Sequence, residues 1–179
     1  MNFLIVLIAI LSLTCKTNKS KVVTSDTASF ADSVSKIRKG FNDTSSEKLK
    51  AGFYLAIPDT SNSSGYKLRN KKEYYFLELV PVVTLNEIDS VYIEFNSQID
   101  RYFLILKFND TATEKWFDFT TRNSGGKVGL VLNDEIFHVA TIASPISSGR
   151  TALTIAQTEK ELDEFKALLE KEIKKSKGL

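Results

Sequence analysis

The chain opens with an unbroken apolar run, Phe3 to Leu13, passes through a long polar stretch, and only then settles into the short alternations of a folded domain. Gly52 to Ile57 reads as a first strand, ended by Pro58, and Asp59 to Gly65 as a loop. Tyr74 to Val80 reads as a second strand, stopped at Pro81, and Thr84 to Ile88 as one helical turn. Val91, Ile93 and Phe95 then alternate with Tyr92, Glu94 and Asn96, the pattern of a half-buried strand. In the next segment Tyr102, Leu104, Leu106 and Phe108 alternate with Phe103, Ile105 and Lys107. Because the second set is also mostly apolar, this strand is expected to be central and covered on both faces.

Two segments change period. After Asp110, Thr111 and Glu114 have the spacing of a capping box, and Ala112, Trp116 and Phe119 fall on one helical stripe. Gly125-Gly126 ends this unit. Val128, Leu130 and Leu132 give a strand, Asn133-Asp134 a turn, and Ile136 to Ile142 its hairpin partner. A Ser/Gly loop leads to a strand from Arg150 through Ile155. Thr158 and Glu161 then cap a helix with Leu162, Phe165, Leu169 and Ile173 on one face, and Lys171, Lys174 and Lys175 near its C-terminal end, where the helix dipole favours cations. The pattern predicts a two-layer α+β domain over 47–179, a mostly antiparallel sheet with the helices packed on one face.

Composition narrows the chemistry. The chain has 179 residues, 42% of them hydrophobic, which suits one domain with its own core plus a leader. A formal net charge of +2 is too small for a dedicated nucleic-acid binder, so no nucleic acid is expected as partner. One Cys and one His leave no intrachain disulfide, no cysteine zinc cluster and no two-histidine metal motif. No catalytic residue, metal or cofactor is therefore expected. His138 has no Cys, Ser or carboxylate beside it in a recognised arrangement and reads as structural. Gly125-Gly126-Lys127 follows a helix and precedes a strand, the reverse of a phosphate loop. Ser63-Ser64-Gly65 lacks the strand–turn–helix setting of a serine hydrolase, and Asp134-Glu135 is too small a set for calcium. Lys67, Arg69 and Lys71 share a face of an alternating strand, which reads as a guarded, solvated edge, with contact to anionic headgroups as the alternative.

The N-terminal run is about half of the ~20 residues that a spanning helix needs. It is followed at once by Thr14-Cys15 and the polar residues Lys16 to Lys21. This arrangement resembles a bacterial lipoprotein signal, departing from the usual pattern at Thr14 and Ser12 and in having no Lys or Arg before the apolar run. The resemblance implies a leader over 1–14 and an acylated Cys15 that holds the protein on a membrane. Residues 15–46 are then a polar tether, poor in large apolar side chains. Within it Phe30, Val34 and Ile37 have helical spacing.

From Val131 the sequence reads Val-Leu-Asn-Asp-Glu-Ile-Phe-His-Val-Ala-Thr-Ile-Ala-Ser-Pro-Ile-Ser-Ser-Gly-Arg, ending at Arg150. This resembles, without a gap, the head subdomain of the SecD translocase subunit. Leu132-Asn133-Asp134 stands for the family's turn, Pro145-Ile146 for its Pro-Ile, and Gly149-Arg150 for its Gly-Arg. Upstream, Glu78 to Thr84 with Ile88, and the helix end with Thr120 and Asn123, are similar to it as well. The final helix from Thr158 to Leu169 also corresponds. Ala140 and Ser144 depart from it, and the helix end lacks the family's glycine. Pro145, Gly149 and Arg150 are mostly turn and packing types, so the motif specifies a fold more than a task. Arg150 is expected to hold the preceding loop through hydrogen bonds to its carbonyls, in preference to touching a ligand. The resemblance implies a non-catalytic envelope module with a protein partner, connected with export or envelope maintenance. An inhibitor or immunity-type protein that blocks one envelope target is the alternative.

Overall fold

The computed structural model describes residues 48–61, 65–155 and 158–179. Cys15, the tether and the segment with Phe30, Val34 and Ile37 lie outside the described residues, as do Ser63 and Ser64. The elements in order are β1 (Gly52–Pro58), β2 (Tyr66–Lys67), β3 (Tyr74–Leu77), β4 (Val83–Thr84), a 3-10 turn (Leu85–Glu87), β5 (Ile88–Asn96) and β6 (Arg101–Phe108). Helix α1 (Asp110–Arg122), β7 (Lys127–Leu132), β8 (Glu135–Thr141), β9 (Arg150–Leu153) and helix α2 (Glu159–Lys177) complete them.

The class is the α+β expected, built from two antiparallel sheets with both helices packed against them. One sheet runs β2-β3-β1-β7-β8, with β4 also beside β1, and the other runs β5-β6-β9. The first sheet curls. Leu68, just past β2, bridges to Ile136 of β8, and the Arg69 N–H donates to the Ile136 carbonyl at 2.8 Å. The curl lets the sheet bury its second face in itself, where Tyr54, Ala56, Leu68, Tyr75, Leu77, Val131 and Ile136 form a small core. Its first face joins the main core: Phe53, Leu55 and Leu130 meet Leu104, Leu106 and Phe108 of the second sheet, and Trp116, Phe119, Leu162 and Leu169 of the helices.

The doubly covered strands are therefore β1, buried from Gly52 to Ile57, and β7, buried from Val128 to Leu132. β6, expected in that role, is central in its own sheet, but only Leu104, Leu106 and Phe108 point into the main core. Its other face carries Phe103, Ile105 and Lys107 toward the outside, beside Tyr92, Ala152 and Arg150 of the flanking strands. Ile105 is still buried, shielded by those cross-strand neighbours.

Three further expectations shift. The strand predicted to reach Val80 ends at Leu77. While β1 steps from Ala56 back to Phe53, the chain opposite it runs all the way from Leu77 to Val83, so the excess bulges outward and leaves Leu79 and Val80 exposed. Helix α1 is capped by Asn109, whose side chain accepts from the Ala112 N–H at 2.8 Å, and not by Thr111. Asparagine is at least as good a cap as threonine, and Asn109 follows β6 with extended backbone already in place. The Thr158–Glu161 box of α2 is present in full, and a second box, Thr84 with Glu87, opens the 3-10 turn.

Candidate functional site

The loop that carries the sequence motif is held by its backbone. The Ile146 N–H donates to the Thr120 hydroxyl at 2.9 Å, and that fully buried hydroxyl donates in turn to the Trp116 carbonyl at 2.8 Å. At the loop's other end the Gly149 carbonyl accepts the Phe108 N–H at 2.9 Å. Gly149 sits at φ +64°, and a Cβ there would fall 2.5 Å from the Thr113 Oγ1. Only glycine satisfies both conditions. Thr113 and Thr120 both lie on α1, about two turns apart, so the loop from Pro145 to Gly149 is laid along that helix and pinned at both ends.

Arg150 faces the other way. Its strand residue pairs with Lys107 of β6, on the outer face of the second sheet. There its Nη2 lies 2.5 Å from Glu94 Oε2, with the guanidinium 5.6 Å from the Tyr92 ring. The pair is half exposed, 45% for Arg150 and 52% for Glu94. The expectation that Arg150 binds the loop carbonyls is thus corrected: strand alternation sends its side chain to the face opposite the loop's docking helix. Pro145 is exposed, Gly149 buried.

An aromatic feature of the described surface stands at the tip of the β5–β6 hairpin. Phe95, Ile99 and Tyr102 are exposed at 48%, 54% and 36%, and the Phe95 and Tyr102 rings pack against each other, tilted by 47° with 4.8 Å between centroids. Asp100 turns the chain at φ +52°. Between this tip and the start of α2 lies an open cleft of about 910 Å³, lined among others by Lys71, Phe95, Tyr102, Ile155 and Leu162. The alternation in the sequence places Phe95 and Tyr102 on the core-facing side of their strands, and they are: they simply lie past the end of the core. The polar cluster Asn96-Ser97-Gln98 with Asp100 is the signal that a tip begins there.

A smaller groove of about 360 Å³ runs between the 78–82 bulge and α1, lined by Glu78, Val80, Lys115, Phe119 and Arg122 among others. Burial raises the Glu78 carboxyl above the usual range, with Arg122 opposing. Elsewhere on α1, Phe117 is 45% exposed. Burial also raises the Tyr54 and Tyr75 phenols to about 12. Glu87 goes down: burial pushes it up, but the Lys115 ammonium at 2.6 Å and the Thr84 N–H and hydroxyl outweigh that.

His138 is half-buried, and desolvation, with Lys71 nearby, lowers its pKa. Strict alternation would give it a face shared with Ile136 and Ala140. A bulge intervenes, since Leu130 pairs with His138 and Val131 with Ile136. His138 therefore sits with Ala140 on the main-core side, and Ile136 on the other. Lys67, Arg69 and Lys71 do not share a strand face either. β2 ends at Lys67, Asn70 takes φ +59°, and the Lys71 N–H closes a turn on the Leu68 carbonyl. Arg69 stacks on Phe137 instead, 4.2 Å from the ring centroid. Asn133 and Asp134, at φ +50° and +65°, form the tight hairpin turn that their side chains favour. Among the described residues no group of three His, Cys, Asp or Glu gathers to hold a metal, and no helix is long and apolar enough to cross a membrane.

Comparison with known proteins agrees with this layout. The family described as SecDF, P1 head subdomain, matches residues 62–172. A protein translocase subunit SecD from Acidaminococcus fermentans is 28% identical over 64 residues, which is 36% of this chain and 15% of that protein. A crystal structure of SecDF in a "super-membrane-facing" form aligns with a TM-score of 0.52 and 19% identity over 66% of this chain and 18% of that one. A second structure, described as a membrane component SecDF that enhances protein export, aligns with a TM-score of 0.51 and 16% identity, over 67% of this chain and 62% of that one. The matched part thus spans 15% of the length of that SecD.

Proposed function

From the premise that this chain belongs to the SecDF P1 head subdomain family, a family of non-catalytic accessory modules, we propose that it is a membrane-tethered module that holds extended polypeptide at its β5–β6 tip in support of protein export. The observation that carries the reading is the packed Phe95–Tyr102 pair with Ile99, left in solvent beside a cleft. Exposed aromatics at an interface supply large contact area at low conformational cost, and their lack of directional chemistry suits many different sequences. Isolated exposed apolar residues need no explanation, but an aromatic pair packed together at the mouth of a cleft does.

The tether belongs to the same proposal: a leader over 1–14, an acylated Cys15 and a polar segment through residue 46 that places the domain in the envelope. It is supported by the apolar run that ends at the chain's sole cysteine. Intact mass tests it. The mature protein should begin at Cys15 and carry acyl chains, and Cys15→Ala should leave the leader uncut; an unprocessed, unacylated wild type overturns this part.

For the tip, the test is titration of an unfolded, carboxymethylated polypeptide against the full chain. Phe95→Ser with Tyr102→Ser should weaken binding at least ~10-fold with little change in melting, equivalent to about 1.4 kcal/mol. Unaltered affinity in the double variant would remove the tip as the contact. Tight binding to one folded envelope protein, with none to unfolded chains, would favour the inhibitor reading instead.

A further inference from the structure

The two ends of the domain differ in chemistry, and the difference is built by a pair of matched elements. β5 runs from Ile88 to Asn96 and α2 from Glu159 to Lys177, each roughly 27 Å long at ordinary strand and helix rises. They lie antiparallel: the Lys177 ammonium donates to the Ile88 carbonyl at 2.7 Å, while Phe95 and Leu162 line the same cleft at the other end. The aromatic tip therefore stands a full helix length from the C-terminal turns of α2.

Those turns are basic. Lys171, Lys174 and Lys175 recur at the three- and four-residue spacing that puts side chains on one helical stripe, and all three are exposed. Glu170 at the border of this stripe is paired with Lys166, and Glu172, largely buried, lies 3.5 Å from the Lys175 ammonium, which keeps its other side in solvent. The described chain begins at the same end. The Leu85 N–H bonds to the Ala51 carbonyl, and the 3-10 turn starting at Leu85 leads directly to Ile88, which Lys177 holds. Lys48 and Lys50, both exposed, flank this entry. Among the described residues, exposed carboxylates toward this end include Asp89 on β5, Asp110 at the start of α1, Asp134 in the β7–β8 turn and Glu135 at the start of β8, and Glu170 lines the same hollow as Lys171, Lys174 and Lys175.

We propose that this lysine-bearing end, Lys48, Lys50, Lys171, Lys174 and Lys175, rests on the anionic headgroups of the membrane to which the chain is tethered, and so points the β5–β6 tip away from the surface. The inference rests on the tether reading, because the residues that follow Cys15 enter the domain at this end. Tethering keeps the domain at high effective concentration over the lipid, so a few lysines at the surface suffice to bias its orientation. It also relocates the membrane contact that the sequence offers as an alternative. Lys71 lines the cleft beside Phe95, at the distal end, so the Lys67–Lys72 stretch is not the lipid-facing one.

The test uses the Cys15→Ala chain, which carries no acyl group, and vesicles of about 30% phosphatidylglycerol in phosphatidylcholine against phosphatidylcholine alone. The apolar leader partitions into both, so the ratio of the two affinities isolates charge. We expect a ratio of at least ~10 at low salt, collapsing in high salt. Changing Lys48, Lys50, Lys171, Lys174 and Lys175 to Gln should lower the ratio at least ~3-fold, the remainder coming from Lys16, Lys19 and Lys21 beside the leader. Changing Lys67, Lys71 and Lys72 to Gln should leave most of it. An equal fall in both variants would mean bulk charge with no preferred end, and overturns the proposal, as does a wild-type ratio near one. Failure of the tether reading shows separately, as an unacylated wild-type mass.

Discussion

Trp116 is the side chain on which the two layers meet, and it makes a sharp prediction. It is 1% exposed, with its ring 5.1 Å from Phe53 of β1, 5.2 Å from Phe108 of β6 and 5.7 Å from Phe119 of its own helix. Trp116→Ala removes a large buried aromatic from the junction of both sheets and α1, and should destabilise by about 3–5 kcal/mol. The indole also carries a liability: its Nε1 is buried and has no hydrogen-bond partner among the described residues. A buried donor left unpaired costs about 1–3 kcal/mol. Trp116→Phe keeps most of the aromatic contact and deletes that donor, so the cavity loss and the relieved desolvation oppose each other. We expect Trp116→Phe to change stability by less than ~1.5 kcal/mol, because the relieved desolvation offsets much of the cavity cost. Urea melts followed by circular dichroism measure both variants without relying on the lost fluorophore. An alanine variant within ~1 kcal/mol of wild type would refute the core assignment. A phenylalanine variant as damaging as alanine would refute the claim that the indole N–H is a burden, and would point to a bound water satisfying it.

The remaining predictions follow from the same geometry. Arg150→Ala should cost less than ~1 kcal/mol by denaturant melt, because its ion pair with Glu94 is half in solvent; a loss of ~3 kcal/mol would contradict this placement. Gly149→Ala should cost at least ~2 kcal/mol, from the left-handed backbone and the collision with Thr113, and Thr113→Ser should not relieve the backbone share. His138, whose folded pKa lies below its ordinary value near 6.5, leaves the unfolded chain binding more protons, so stability should fall as pH drops from about 6.5 toward the folded value. His138→Gln should flatten that part of the stability–pH curve, and an unchanged slope would show that the histidine is free to protonate.

Local signals in the sequence are legible where one physical rule governs the outcome. The Trp116 stripe, the Thr158–Glu161 cap and the Asn133-Asp134 hairpin turn depend on spacing alone, and spacing is printed in the chain. Expectation and structure part where a long-range contact decides. The alternation from Tyr102 to Phe108 is the same whether or not a layer covers its second set, and coverage depends on where the helices dock, so the pattern does not separate β6 from β1. Likewise the bulges at Leu79–Val80 and at Phe137 are set by pairing across the sheet, and each moves side chains that strict alternation places elsewhere. The partner of Arg150 is hidden for the same reason, since Glu94 lies 56 positions away.

The motif residues and the candidate contact surface turn out to be different parts of the molecule, and this bears on what the family pattern encodes. Ile146 bonds the loop to Thr120, and through it to the backbone of Trp116, while Gly149 passes close against Thr113 and accepts the Phe108 N–H, so the motif fastens α1 to the end of β6 and the start of β9. Those same strands, with β5, form the sheet whose far end carries Phe95, Ile99 and Tyr102. A loop pinned at two points on a buried helix face is a poor recognition element, because moving it would uncover Thr120 and disturb Trp116. The tip has the opposite character: its aromatics stand past the core and can be exchanged without opening it. Substitutions at Gly149 and Thr120 should therefore appear first in melting curves, and substitutions at the tip first in binding curves. Two outcomes decide the matter: a tip variant that unfolds the protein, or a motif variant that binds normally at reduced stability. Only the second of these outcomes is compatible with the division of labour that the packing sets up.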